Sequence, residues 1–111
     1  MDKHDLQVLE KIYAHTQSII DYCNGCDLFK SFQNNKMLIE ACVFNLMQIG
    51  ELAKATLSDK AKSQLTTIPW KQLYGMRNKI VHGYSGIDLT IVWETIYDDI
   101  PKLNKELKKY I

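Results

Sequence analysis

The chain has little of what marks a membrane, secreted or metal-built protein. No apolar run approaches the ~20 residues that cross a bilayer. The start, Met1-Asp2-Lys3-His4-Asp5, has no apolar signal-peptide core, so a cytoplasmic location is expected. Charge of one sign is missing too: 14 Lys and Arg stand against 13 Asp and Glu, for a net charge of +1. That excludes tight, non-specific nucleic-acid binding, which rests on many Lys/Arg–phosphate contacts, but leaves room for a small basic cleft. Cysteines number three. Cys23 and Cys26 form a C-x-x-C pair around Asn24-Gly25. It lacks the second pair or nearby histidines of a structural zinc site, and the βαβ context of a redox motif. The pair reads as two reduced thiols flanking a turn, and Cys42 as a small core residue. No carboxylates cluster with metal-ligand spacing, which argues against a two-metal nuclease. Neither a metal nor a cofactor is expected. Strand-like alternation, internal repeats and low-complexity segments are also missing.

What remains is helical patterning. With 111 residues, 46% hydrophobic and 24% charged, the chain reads as one globular domain over residues 1–111. From about Asp2 to Cys23, Leu6, Leu9, Ile12, Tyr13, Thr16, Ile19, Ile20 and Cys23 keep the three-then-four step of an amphipathic helix. Asn24-Gly25 stops it. Asp27 to Gln33 offers a short helical turn carrying Phe29 and Phe32. A second long helix spans about Asn34 or Asn35 to Thr56 or Leu57 and is apolar around much of its circumference. So greasy a helix needs cover on most sides, and a second copy of the chain is the simplest cover. A homodimer is therefore expected. Asn45, Gln48 and Glu51 sit three apart on this helix, either as an exposed polar stripe or as the lining of a cleft.

Ser58-Asp59 caps a short helix that should end near Thr66-Thr67. Pro69 opens another, which turns Trp70, Leu73, Met76 and Ile80 inward and ends between Val81 and Gly83. Asp88 caps a last helix through Leu89, Val92, Trp93, Ile96, Ile100 and Leu103. Pro101 should bend or divide it and leave a frayed continuation from Lys102. The lysines at 102, 105, 108 and 109 read as a solvated basic face. The expected architecture is an all-α, up-and-down bundle of four to five helices.

The densest chemistry lies in Arg77-Asn78-Lys79-Ile80-Val81-His82-Gly83-Tyr84. An arginine clamps phosphate with a planar fork of donors. A histidine moves protons near neutral pH. A tyrosine hydroxyl is a nucleophile, a donor or a modification target. Read plainly, the three are an ion-pair partner, a helix cap and a half-buried aromatic. Read as a site, they suit metal-free cleavage of RNA. One histidine takes the ribose 2′-hydroxyl proton as that oxygen attacks phosphorus. A second, supplied by the partner chain, protonates the leaving 5′-oxygen, and Arg77 stabilises the transition-state charge. Asn78 is placed in sequence to orient the phosphate or the histidine. Residues five apart on a helix point about 140° away from each other. Either the helix end turns His82 back toward Arg77, or both chains of a dimer share one cleft.

These residues resemble the R-x4-H-x-Y motif of the HEPN superfamily, and within it the HepT toxins of HepT–MntA toxin–antitoxin systems. Ile49-Gly50-Glu51, Ile68-Pro69-Trp70, Gly75-Met76-Arg77-Asn78, Asp88, Val92-Trp93 and Asp99-Ile100-Pro101 extend the resemblance, which is strongest from about 44 to 103. It implies a HEPN-like helical bundle, a homodimer with its cleft at the interface, and metal-independent endoribonuclease activity with Arg77 and His82 as the catalytic pair. Glu51 matches less specifically, as a support to the cleft. The resemblance also implies a partner, an MntA-like minimal nucleotidyltransferase antitoxin that silences the toxin by transferring AMP onto Tyr84. The alternative is a non-catalytic subunit that presents a nucleotide or other substrate to such a nucleotidyltransferase.

Overall fold

A computed structural model describes residues 1–80 and 86–111. The expected Gly83 helix terminator, His82 and Tyr84 lie outside the described residues. Helix α1 spans Lys3–Tyr22, with the Asp2 side chain accepting the Asp5 N–H as its N-cap. Gly25 follows at φ +84°, the left-handed conformation that glycine adopts without strain. After α2 (Phe29–Gln33), α3 runs Lys36–Glu51 and continues as a wider π-turn over Leu52–Thr56. Ser58 caps α4 (Asp59–Gln64) as the sequence suggests, although α4 ends before Thr66. Helix α5 covers Trp70–Ile80 directly after Pro69. Asp88 caps α6 (Leu89–Glu94), a second π-turn spans Thr95–Asp99, and α7 runs Ile100–Lys108. No helix among the described residues is long and apolar enough to cross a membrane.

The all-α reading holds, and four long rods form its frame: α1, α3, α5 and the continuous α6–α7. The rods alternate in direction. His15 of α1 meets Asn45 of α3, while His4 meets the Thr56 carbonyl, so α1 and α3 are antiparallel. Asn104 of α7 reaches Thr16 and Gln17, and the Tyr97 hydroxyl donates to the Cys26 carbonyl, so α6–α7 also opposes α1. Val8, Leu9, Ile12, Ile19, Leu46, Ile49, Ile80, Val92, Ile100 and Leu107 form one core between the rods. The C-terminal segment does not fray as expected. Leu103 and Leu107 are buried and α7 packs along α1, so tertiary contact holds the last turns in place.

The division of the last rod falls just before Pro101. Proline lacks an N–H, and its ring crowds the carbonyl four residues back, here that of Tyr97. The chain widens there: the Ile100 N–H reaches the Thr95 carbonyl, five residues back.

Two contacts tie distant segments. Asp5 is buried, and its carboxylate accepts the Ser58 N–H at 3.0 Å and the Ser58 hydroxyl at 2.6 Å. These bonds pin the start of α1 to the cap of α4. Gly50 of α3 lies against α5, where an added Cβ would stand 3.1 Å from the Leu73 carbonyl oxygen. A side chain there would crowd the Leu73 backbone, which would have to shift by a few tenths of an ångström to admit it.

Gly50→Leu should therefore destabilise the fold by about 1–3 kcal/mol, read from urea unfolding midpoints. The Ser58 hydrogen bonds hold the Asp5 carboxyl below its ordinary pKa of 3.8. A carboxyl with a depressed folded-state pKa adds stability above its unfolded value, and loses it as pH falls through the folded one. The stability advantage of wild type over Asp5→Asn should then be flat above about pH 5 and shrink below pH 4. A difference that does not change across that window would contradict this.

Candidate functional site

Helix α1 ends in the Cys23–Cys26 turn at the end of the bundle where α3 begins, whereas Glu51 lies at the other end of α3, and Arg77 and Asn78 lie near the end of α5. The Asp88 N–H donates to the Ile80 carbonyl at 2.9 Å. This bond joins the two ends of the segment that holds His82 and Tyr84. Ile80 is fully buried, and the Asp88 side chain accepts the Ile91 N–H at 3.2 Å to start α6. Ile80 and Asp88, on either side of that segment, are thus held by the core and by a helix cap.

Arg77 lies in the last turn of α5 and is exposed to solvent. Leu73, Met76 and Ile80 take the inward positions of that helix. Arg77 and Lys79 both stand in its last turn, where the helix dipole favours cations. Among the described residues Arg77 forms no ion pair, which leaves its guanidinium open to an anion. Asn78 is exposed as well, about 100° round the helix from Arg77. Glu51 is exposed at the end of α3, next to the buried Gly50 that sets the α3–α5 spacing.

The polar stripe on α3 divides. Asn45 is buried and committed to structure. Its amide donates to the Ala41 carbonyl at 2.8 Å, and its oxygen accepts from His15 Nδ1 at 2.7 Å. Gln48 is half-buried and Glu51 faces solvent. His15 carried no signal in the sequence because its partner lies 30 residues away. With the Asn45 oxygen as acceptor, His15 Nδ1 carries the proton, and in the neutral ring Nε2 is left as the base.

A cavity of about 500 Å³ opens on the opposite flank of α5, over Leu73, Met76, Ile91, Ile100 and Leu103, with Lys79, Glu94 and Asp99 also lining it. Arg77, Asn78 and Glu51 are not among its lining residues.

Helix α3 carries a further feature. Met37 is 81% exposed and Phe44 60% exposed, seven residues apart on one face. The intrachain neighbours of α3 bury Ile39, Cys42, Leu46, Ile49 and Ala53 and leave this apolar strip uncovered.

The family profile described as Ribonuclease HepT-like matches residues 12–110. The chain is 32% identical over 109 residues to a Methanocaldococcus jannaschii protein named "Putative RNase MJ1380", covering 97% of this chain and 98% of that protein. A second protein of that organism, "Putative RNase MJ0125", is 37% identical over 112 residues, covering 100% of this chain and 95% of its own length. "Probable ribonuclease HepT" of Thermococcus cleftensis is 35% identical over 81 residues, or 73% of each chain. No solved structure gives a significant match. The match reaches from within α1 to the C-terminal end of α7, across all four rods and the motif segment, and the chain belongs to the HepT-like ribonuclease family.

Proposed function

We propose that this protein is a metal-independent endoribonuclease toxin that cuts RNA with Arg77 and His82, and that AMP transfer onto Tyr84 silences it. One observation carries the reading: an intact Arg77-x4-His82-x-Tyr84 motif, in a HepT-like ribonuclease chain, follows directly on an exposed arginine at the end of a rigid helix.

The chemistry needs a base for the 2′-hydroxyl, an acid for the leaving 5′-oxygen, and a cation for the charge that builds on phosphorus. His82 serves proton transfer. Arg77 supplies a fixed, forked cation that can hold two phosphate oxygens at once. Asn78 and Glu51 would support the cleft from α5 and α3. A second proton-transfer group comes from the second chain of a homodimer. The uncovered strip of Met37 and Phe44 supports such pairing, because it leaves apolar surface on α3 that its own chain does not cover. DNA lacks the 2′-hydroxyl and would not be cut.

Regulation follows from the same electrostatics. An adenylyl group on Tyr84 places bulk and a phosphate charge two residues from His82, repelling RNA and blocking its approach. The donor would be a minimal nucleotidyltransferase antitoxin using ATP. The net charge of +1 favours a second reading, a non-catalytic nucleotide- or substrate-binding partner of such an enzyme.

Purified protein should cleave single-stranded RNA in the presence of EDTA, and leave DNA intact. Arg77→Ala and His82→Ala should each lower the rate at least 100-fold. Arg77→Ala should leave the melting temperature almost unchanged, since that side chain is exposed. If all three proteins leave RNA uncut, the second reading stands in place of the first. After coexpression with a minimal nucleotidyltransferase, intact mass should rise by whole AMP units in wild type and not in Tyr84→Phe. An equal gain in both would place the modification elsewhere.

A further inference from the structure

The sequence pairs Cys23 with Cys26, but the fold pairs Cys23 with Cys42. Their sulfurs stand 3.5 Å apart in the interior, across the contact of α1 and α3. Cys26 is half-buried at the turn, with its N–H bonded to the Cys23 carbonyl at 2.9 Å. All three are free thiols. We propose that Cys23 and Cys42 form a reversible thiol–disulfide pair, oxidised by peroxide-class oxidants, which cross-links α1 to α3.

The geometry needs little change. A disulfide requires sulfurs about 2.05 Å apart, so closure asks for roughly 1.5 Å of movement between two side chains already in contact. The contact also divides the chemistry between the two sulfurs. The hydrogen bond shared by the two sulfurs holds Cys23 below its ordinary pKa, while that bond and burial push Cys42 up. Cys23 is therefore the nucleophile and Cys42 the resolving thiol.

The Cys23 thiolate attacks one oxygen of hydrogen peroxide. An S–O bond forms, the O–O bond breaks, and the departing hydroxide takes up a proton to become water. The Cys42 sulfur loses its proton and attacks the sulfenic sulfur. The S–S bond forms, the S–O bond breaks, and the second hydroxide leaves as water. Two thiols and one peroxide yield one disulfide and two waters. A dithiol reductant reverses the change.

The consequence is mechanical. The new bond ties the end of α1 to α3 and to the rods packed on them. Tyr97, whose hydroxyl donates to the Cys26 carbonyl, stacks on Trp93 of α6, so α6 is held by the same cluster.

The test uses the full chain. Folded protein is treated with hydrogen peroxide, its remaining thiols are alkylated, and it is analysed by intact mass and peptide mapping. One of the three thiols should remain reactive. The mass before alkylation should fall by two hydrogens, and the cross-linked peptides should contain Cys23 and Cys42. Dithiothreitol should restore all three thiols. The oxidised form should melt roughly 5–10 °C above the reduced one. Cys26→Ser should keep the cross-link and Cys42→Ala should lose it. A Cys23–Cys26 link, three reactive thiols after peroxide, or loss of the bond in Cys26→Ser would overturn the assignment.

Discussion

The close approach of Gly50 to the Leu73 carbonyl sets the distance between α3 and α5, and the candidate site rests on that distance. In a regular helix the Leu73 carbonyl receives the N–H of Arg77, four residues on. The surface that meets Gly50 is thus the turn that carries the candidate catalytic arginine. A backbone oxygen cannot swing aside as a side chain can, so the glycine is a geometric constraint and not a matter of helix propensity. The bond from Asp88 to the Ile80 carbonyl is the second constraint, about two turns beyond Leu73 along α5. Between them they attach the motif segment to two packed helices.

That arrangement lets a nearly neutral protein offer a local cation. Arg77 and Lys79 stand at the C-terminal end of α5, where the helix carbonyls carry partial negative charge. Both are exposed to solvent. On the proposed reading, affinity for RNA comes from these few contacts at the scissile linkage. A broad basic surface would add binding to any polyanion without favouring the transition state.

What could be read from the sequence was local. The three-then-four step of α1, the caps at Ser58 and Asp88 and the opening at Pro69 each depend on neighbours within one or two turns, and each lies where the pattern puts it. The exposed position of Arg77 followed from the inward stripe of Leu73, Met76 and Ile80. The apolar circumference of α3 foretold that helices of one chain would not cover it. The features that were not legible are encounters between rods. Cys23 with Cys42, His15 with Asn45, and Asp5 with Ser58 join residues 19, 30 and 53 positions apart. Amphipathic periodicity states that a face is buried but not which face meets it. For the same reason the sequence reading paired Cys23 with its near neighbour, and treated Asn45 as one member of a polar stripe.

Pro101 shows how a local irregularity acquires a tertiary role. Its missing N–H and its ring forbid a regular turn over the Tyr97 carbonyl, and the chain answers with the π-turn of Thr95–Asp99. A wider turn shifts the side chains of that rod relative to a continuous α-helix. Tyr97 then stacks on Trp93 at 4.1 Å, and its hydroxyl donates to the Cys26 carbonyl. Trp93 in turn meets Phe29 and Phe32 at ring separations of 5.7 and 5.4 Å. The result is an aromatic bracket that clamps α2 and the end of α1 onto α6. Because α6 begins at Asp88, the bracket also braces the residue that closes the motif segment onto Ile80. A regular helix through position 101 would break this chain of support at its first link, so the proline that looks like a defect in the last helix helps brace α6 at the far end of the rod.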